Sequence, residues 1–245
     1  MRSGAATSEL LTGVASGGSV RAPERFGRRA WRALLRVKLR LVDRRKYQSV
    51  VLENVDGLSI LVLPDVFNPK LLRSGEFLVQ QLRRRDLVPA STRVLDLGSG
   101  SGAAGVAAAR AGSDVIAVDI NPAAVRCTRI NALLNNVEID AREGDLFAPV
   151  QDDRFDVVLF NPPYYRGVPR NPLDHAWRSP DLFERFAASL AIHLTERGRA
   201  LLVLSSDGEQ SSFLAALDCA GFRSTVVAQR DLINETLRVY SVTPC

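Results

Sequence analysis

Hydrophobic positions change their period several times along the chain, and each change predicts an element. Residues 1–22 (MRSGAATSELLTGVASGGSV and the two that follow) show no period; they are small and polar, too poor in apolar surface to offset chain entropy, and predict a flexible tail. In 24–46, Trp31, Leu34, Leu35 and Val42 fall at roughly helical spacing with Arg and Lys between them, which predicts one helix. SVVLENVDGLSILVL then places two β-rich runs on either side of Asp56-Gly57, a hairpin signal. Asn68-Pro69 breaks the chain, and SGEFLVQQLRRR (74–85) predicts a helix with Phe77, Leu78 and Leu82 on one side.

From residue 92 strands and helices alternate. TRVLDL predicts a buried strand; a Gly-rich turn and an Ala-rich helix closed by Gly112 follow it. DVIAVDI is a second strand, and NPAAVRCTRINALLNN is a helix with Pro122 at its first turn, where proline is favoured. VEIDARE and FDVVLF predict strands three and four, SPDLFERFAASLAIHLTERG a helix left through Gly198, and RALLVLS a fifth strand. DGEQSSFLAALDCAGF predicts a helix ending at Gly221, and RSTVVAQR and ETLRVYSV close the chain as two more strands. Such alternation predicts an α/β, Rossmann-like, seven-stranded parallel sheet covered on both faces. The final two strands have no helix between them, which predicts one antiparallel strand at an edge. The expected organisation is a tail (1–22), a basic helix, hairpin and capping helix (23–90), and an α/β domain (91–245).

Composition fits a globular chain: 46% of the 245 residues are hydrophobic and 24% charged. No apolar run reaches the roughly 18 residues that cross a bilayer, so no membrane partner is expected. The net charge of +5 is uneven. Residues 21–46 hold 11 basic and 2 acidic residues, whereas 47–245 hold 20 basic and 24 acidic ones, a balance of −4. A uniformly basic nucleic-acid binder is disfavoured. The basic helix is open to two readings, a solvated helix packed on the body or an arm for RNA or another acidic surface. The first 20 residues lack an apolar secretory core; their scarcity of acidic residues also fits an organellar transit peptide. Cys127, Cys219 and Cys245 make no paired or metal-ligand spacing with His175 and His193, so no metal is expected, and their sparseness suggests a reducing, cytoplasmic setting.

Four short runs carry candidate chemistry. In VLDLGSGSG (94–102), glycines directly after a strand let backbone approach a ligand while the next helix points free N–H groups at it. Asp119 ends the second strand 21 residues after Gly98, a placement that offers a carboxylate to a ribose diol and suits NAD and S-adenosylmethionine equally. After the third strand, Asp145 could accept adenine amino hydrogens, with Leu146 lining the ring pocket; singly, Asp145 is as much a turn residue. After the fourth strand comes Asn161-Pro162-Pro163-Tyr164. The Asn161 side-chain carbonyl and the stiffly held Pro162 carbonyl form two acceptors in a rigid corner, able to grip the two hydrogens of a planar –NH₂ group; Tyr164 offers a flat face for stacking.

DLGSGSG, VDIN, GDLF and NPPY in this order resemble the class I S-adenosylmethionine-dependent methyltransferases, over about residues 60–243. NPPY resembles the subset that methylates nitrogen on an sp² carbon: the HemK-like release-factor glutamine methyltransferases and the DNA adenine and RNA guanine-N2 enzymes. Ala176-Trp177 ahead of Leu182-Phe183-Glu184-Arg185-Phe186, and Glu235-Thr236-Leu237-Arg238-Val239, look like the eukaryotic and archaeal HemK-like branch. The resemblance implies that Asp96, Gly98, Ser99, Gly100, Asp119, Ile120, Asp145, Leu146 and Asn161 bind S-adenosylmethionine. It implies that Asn161, Pro162, Pro163 and Tyr164 hold the acceptor, with Asn161, Pro162 and Tyr164 catalytic and no general base. The chain departs from that branch after Pro69, where a longer KLLRSGEFL replaces a short acidic-Thr-Phe run; Glu76 and Phe77 are the expected cofactor caps. The implied acceptor is a glutamine of a release-factor-like protein, with an RNA or DNA base amine or a small-molecule amine as the alternative, and an activating partner subunit is allowed. A nicotinamide-dependent oxidoreductase would keep the glycines and Asp119 but has no use for NPPY.

Overall fold

The computed structural model describes residues 49–71, 73–85, 87–168, 178–233 and 235–245. The tail, the basic helix 24–46, His175 and Ala176-Trp177 lie outside the described residues.

Two strands, β1 (Val51–Val55) and β2 (Leu58–Val62), pair antiparallel from Val51↔Val62 to Val55↔Leu58. Asp56 (φ 50°) and Gly57 (φ 86°) both sit in the left-handed region, the geometry that lets a two-residue turn follow the strands' twist. Helix α1 (Ser74–Arg85) has the predicted bounds and buries Phe77, Leu78 and Leu82.

The alternating part is β3 (Arg93–Leu97), α2 (Ala103–Arg110), β4 (Asp114–Asp119), α3 (Pro122–Leu134), β5 (Asp140–Glu143), β6 (Phe155–Phe160), the two-residue β7 (Tyr165–Arg166) and β8 (Arg178–Ser179), α4 (Leu182–Leu190), β9 (Leu194–Ser205), α5 (Gln210–Cys219), β10 (Phe222–Asp231) and β11 (Thr236–Pro244). Seven strands make one sheet in the order β10-β11-β9-β6-β3-β4-β5. Neighbours from β9 to β5 run parallel, and β11 is antiparallel to both β10 and β9. The reversed strand therefore belongs to the edge pair, as its inner member.

Side chains alternate between two cores. Val94, Val157, Leu159, Leu201 and Val203 face the hairpin, α1, α2 and α3; Leu95, Val158, Phe160, Leu202 and Leu204 face α4 and α5. Strands buried on both faces explain the near-continuous apolar runs in the sequence.

Two predicted bounds are corrected. The helix expected over 179–198 stops at Leu190, and after a three-residue 3₁₀ turn the chain is already strand at Leu194. Thr195 Oγ1 donates to Asp156 Oδ1 at 2.9 Å, and a side chain on Gly198 would meet the Phe155 carbonyl at 2.7 Å, so β6 captures the segment that the helical pattern claimed. The third strand begins at Asp140, not Val137.

The hairpin is held by α3 through two asparagines one helical turn apart. Asn131 Oδ1 accepts from Leu61 N and its Nδ2 donates to Leu61 O, both at 2.7 Å; Asn135 Oδ1 accepts from Ser59 N at 3.3 Å and its Nδ2 donates to Ser59 O at 2.8 Å. The two carboxamides thus act as the missing neighbour of β2. Asn131, 0% exposed, also donates to Ser101 O at 2.8 Å and so ties the hairpin to the glycine turn. Asn131→Leu leaves Leu61 N and Ser101 O unpaired and Leu61 O with only the Cys127 thiol, and should destabilise the fold by about 3 kcal/mol. A shift of the urea midpoint at constant slope measures it; an unchanged midpoint contradicts the assignment.

Among the described residues, no helix is long and apolar enough to cross a membrane.

Candidate active site

Strand order reverses direction of travel between β3 and β6, with β4 and β5 on one side and β9 and β11 on the other. In an open parallel sheet, the crevice beyond the C-terminal ends of such strands is where ligands bind. Gly98 follows β3 and Asn161 follows β6, so the first and fourth motifs meet there. The cleft is open at its mouth and is lined by residues of all four motifs.

Its floor is the glycine turn. Gly98 (φ 63°) and Gly100 (φ 55°) are left-handed, which a side chain would strain, and Gly98, Ser99 and Gly100 line the cleft. Gly102 precedes α2 with no side-chain cap, leaving helix N–H groups for a ligand. The one N–H taken is that of Gly105, bound by Asp96 Oδ2 at 2.8 Å. Asp96 is buried, lines the cleft, and has its carboxyl pushed up to about 7 by burial, opposed by the Gly105 hydrogen bond and aided by the charge of Asp119.

That shift has a consequence for stability. The folded carboxyl titrates near 7 and the unfolded one near the ordinary value of 3.8, so folding takes up a proton between these limits. Stability from this group is therefore complete below the unfolded value, falls as pH rises through the window, and is flat above about 7. Thermal melts from about pH 4.5 to about pH 8, the window over which the linkage acts, should show wild type losing stability relative to Asp96→Asn as pH rises. A constant difference contradicts the shift.

Asp119 closes the turn: Oδ2 accepts from Gly100 N and Oδ1 from Asn121 N, each at 2.8 Å. Ile120, 45% exposed, lines the cleft beside it. Asp145 and Leu146 line the far wall. Asp145 Oδ2 is also ion-paired with Arg185 Nη2 at 2.5 Å, from α4. Leu146 takes a left-handed φ of 48°.

The NPPY corner divides. Asn161 and Pro163 line the cleft; Pro162 is buried behind them, and Tyr164 instead borders a small adjoining pocket with Phe183 and Phe213. Tyr164 Oη donates to Asn161 Oδ1 at 3.2 Å, and Asn161 Nδ2 donates to Ser74 Oγ at 3.2 Å. Burial pushes the Tyr164 phenol up, so it stays a donor at neutral pH.

The cap also differs from expectation. Phe77 is 1% exposed in the core beneath the Arg230 guanidinium, and neither it nor Glu76 lines the cleft. Asp65, Phe67, Pro69, Gly75 and Leu78 do. The longer stretch after Pro69 explains the change: Asn68 Oδ1 accepts from Lys70 N and Leu71 N, folding the chain so that Pro69 and the start of α1 overhang the glycine turn. Leu182 and Arg185 were also missed as site residues, although the amphipathic LFERF run carried the signal.

Outside the cleft, His193 is buried and stacked on Phe147 with ring centroids 4.4 Å apart. Cys127 is buried, with its thiol pushed up to about 11 by burial, and is no nucleophile. No group of metal-ligating side chains occurs among the described residues.

The cleft suits S-adenosylmethionine. Backbone at positive φ gives close approach, the start of α2 has no side-chain cap at Gly102, and the Asp119 carboxylate supplies negative charge for a ligand bearing a sulfonium and an ammonium.

Comparison with known proteins agrees. The family model described as methyltransferase small domain matches residues 57–230. A Methanocaldococcus jannaschii protein, provisionally named protein N5-glutamine methyltransferase, is 30% identical over 76% of this chain and 95% of its own. The release factor glutamine methyltransferase of Geobacter sulfurreducens is 30% identical over 71% of this chain, which spans 64% of that relative. Among solved structures, the Mtq2–Trm112 complex of E. cuniculi, described as responsible for methylation of the termination factor eRF1, superposes with a TM-score of 0.56 at 22% identity, covering 74% of this chain and 99% of the other. The T. thermophilus 16S rRNA N2 methyltransferase RsmC, solved with AdoMet and guanosine, gives 0.59 at 22% identity over 80% of this chain and 50% of its own.

Proposed function

This chain belongs to the methyltransferase small-domain family as an S-adenosylmethionine-dependent, HemK-like N-methyltransferase, and we propose that its acceptor is the side-chain amide of a glutamine in a release-factor-like protein. The observation that carries the proposal is Asn161 at the end of β6, its carboxamide at the lip of the cleft and pinned by two side chains.

When bound, S-adenosylmethionine supplies a methyl group on a positively charged sulfur. The glycine turn and the α2 N-terminus would hold its amino-acid end, Asp119 and Ile120 its ribose, and Asp145 and Leu146 its base. Asn161 Oδ1 and the Pro162 carbonyl accept the two hydrogens of the acceptor –NH₂. That grip turns the nitrogen lone pair out of conjugation and toward the cleft, and holding the reactants in this geometry is the protein's main contribution. The surplus proton on nitrogen leaves through those same acceptors to solvent. An sp² carbonyl oxygen has two lone pairs, so Asn161 Oδ1 serves the acceptor while Tyr164 holds the other.

The second reading, an RNA base amine, is favoured by the 11 basic residues in 21–46. Labelled S-adenosylmethionine in a cell extract separates the two. Label that resists RNase and is lost to protease supports a protein acceptor; label lost to RNase moves the RNA reading first. The extract also supplies any partner subunit the enzyme requires; the Mtq2 neighbour is itself a complex with a second protein, Trm112.

A further inference from the structure

We propose that Ser74 is a positioning residue for methyl transfer, its hydroxyl fixing the plane of the Asn161 carboxamide from the cap of the cleft. The inference rests on Asn161 being the amide clamp. Ser74 is 0% exposed, at the first residue of α1. Its Oγ accepts from Asn161 Nδ2 at 3.2 Å, while the Tyr164 phenol donates to Asn161 Oδ1 at 3.2 Å. The two hydroxyls thus hold the carboxamide at both of its polar atoms, Ser74 from the cap and Tyr164 from the strand end. A carboxamide held at only one atom swings about its last torsion, a broad sp³–sp² rotation; one held at both ends does not.

Ser74 reaches this point because the chain places it there with little slack. A side chain on Gly75 would meet Pro69 Cβ at 2.6 Å, so α1 starts pressed against the Asn68-Pro69 turn. Glu76 N donates to Pro69 O at 3.2 Å and Phe77 N to Arg73 O at 2.8 Å, locking the first turn of α1. Tyr164 is equally fixed, its carbonyl accepting from Glu209 N at 2.9 Å. The Ser74–Asn161 hydrogen bond therefore couples the cap, from the segment before the sheet, to the strand end that grips the acceptor. Neither hydrogen bond on the carboxamide reaches the glycine turn or Asp119, so loss of the Ser74 contact should spare cofactor binding.

Ser74→Ala, Ser74→Thr and wild type test this in three measurements. In Ser74→Ala, turnover at saturating release factor should fall about 10- to 100-fold, as expected for a lost positioning contact. S-adenosylmethionine affinity should stay within about twofold and the melting temperature within about 2 °C, since a single hydrogen bond contributes only ~1 kcal/mol. Ser74→Thr, which keeps the hydroxyl, should recover most of the turnover; turnover in Ser74→Ala within twofold of wild type, or lost only in proportion to cofactor affinity, overturns the proposal. The third measurement needs no acceptor: the Asn161 side-chain amide signals, identified by their absence in Asn161→Asp, should shift and exchange faster in Ser74→Ala. Unchanged signals overturn the positioning role whatever the acceptor proves to be, whereas a wild type that leaves release factor unmethylated, with the signals shifted as expected, counts against the glutamine reading alone.

Discussion

Asn161→Ala should bind S-adenosylmethionine within a few-fold of wild type and transfer methyl groups about 100- to 1,000-fold more slowly, the scale of losing one preorganised hydrogen-bonding group at a reacting centre. The cleft residues proposed to hold the cofactor are spread over the glycine turn, Asp119 and Asp145, all remote from the Asn161 amide in sequence and carried by other strands. Removing the carboxamide leaves the Pro162 carbonyl as a single acceptor, so the amine is free to turn and its lone pair stays conjugated. Asn161→Asp separates geometry from chemistry. The carboxylate keeps an acceptor toward the amine but loses the Nδ2 donor that Ser74 holds, so its activity should fall between wild type and alanine. Single-turnover rates with calorimetric affinities measure both quantities. Turnover within twofold of wild type in Asn161→Ala, with affinity intact, contradicts the role.

Asp119→Ala carries the other large effect, on cofactor affinity. The carboxylate holds Gly100 N and Asn121 N at 2.8 Å each, so it shapes the glycine turn in addition to its proposed role at the ribose. Hydrogen bonds to a charged group contribute about 1.5–3 kcal/mol each, so the loss of two ribose contacts amounts to ~3 kcal/mol or more, at least a 100-fold weaker Kd. Asp119→Asn retains one acceptor oxygen and should lose about tenfold. Titration calorimetry distinguishes these. Equal affinity in Asp119→Ala and wild type would mean that the ribose lies elsewhere.

The sheet was legible in the chain because its strands are buried on both faces. Runs such as VLDL and FDVVLF have no competing reading once Gly and Pro bound them. The hairpin was legible because Asp56-Gly57 suits two successive left-handed residues. The end of α4 was not. AIHLTERG continues a helical pattern, and only the pairing of Leu194 with Phe155 overrides it, a contact 39 residues away in sequence. Within the site, residues that end a strand were visible, since strand ends are fixed by local pattern. Asp96, Gly98, Asp119, Asp145 and Asn161 all reach one cleft.

The cap was misjudged for a different reason. Phe77 reads as a capping aromatic by its closeness to Glu76, yet its helical phase with Leu78 and Leu82 assigns it to the core. Phe67, beside the Asn68-Pro69 break, takes the place over the glycine turn: a side chain on Gly100 would lie 3.5 Å from Phe67 Cβ. Asn131 and Asn135 were invisible as anchors, because an asparagine on a helix reads as solvated surface until the strand it pairs with is known. Ser74 was hidden in the same way, for its partner Asn161 stands 87 residues downstream.

Intact mass and fragmentation of a purified release factor, incubated with this enzyme, S-adenosylmethionine and extract from which the endogenous release factor has been removed, test the central claim most directly. A gain of one methyl group, mapped to the side-chain amide of a single glutamine and absent with Asn161→Ala, is the predicted result. A release factor that stays unmodified while labelled methyl accumulates in RNA would contradict it.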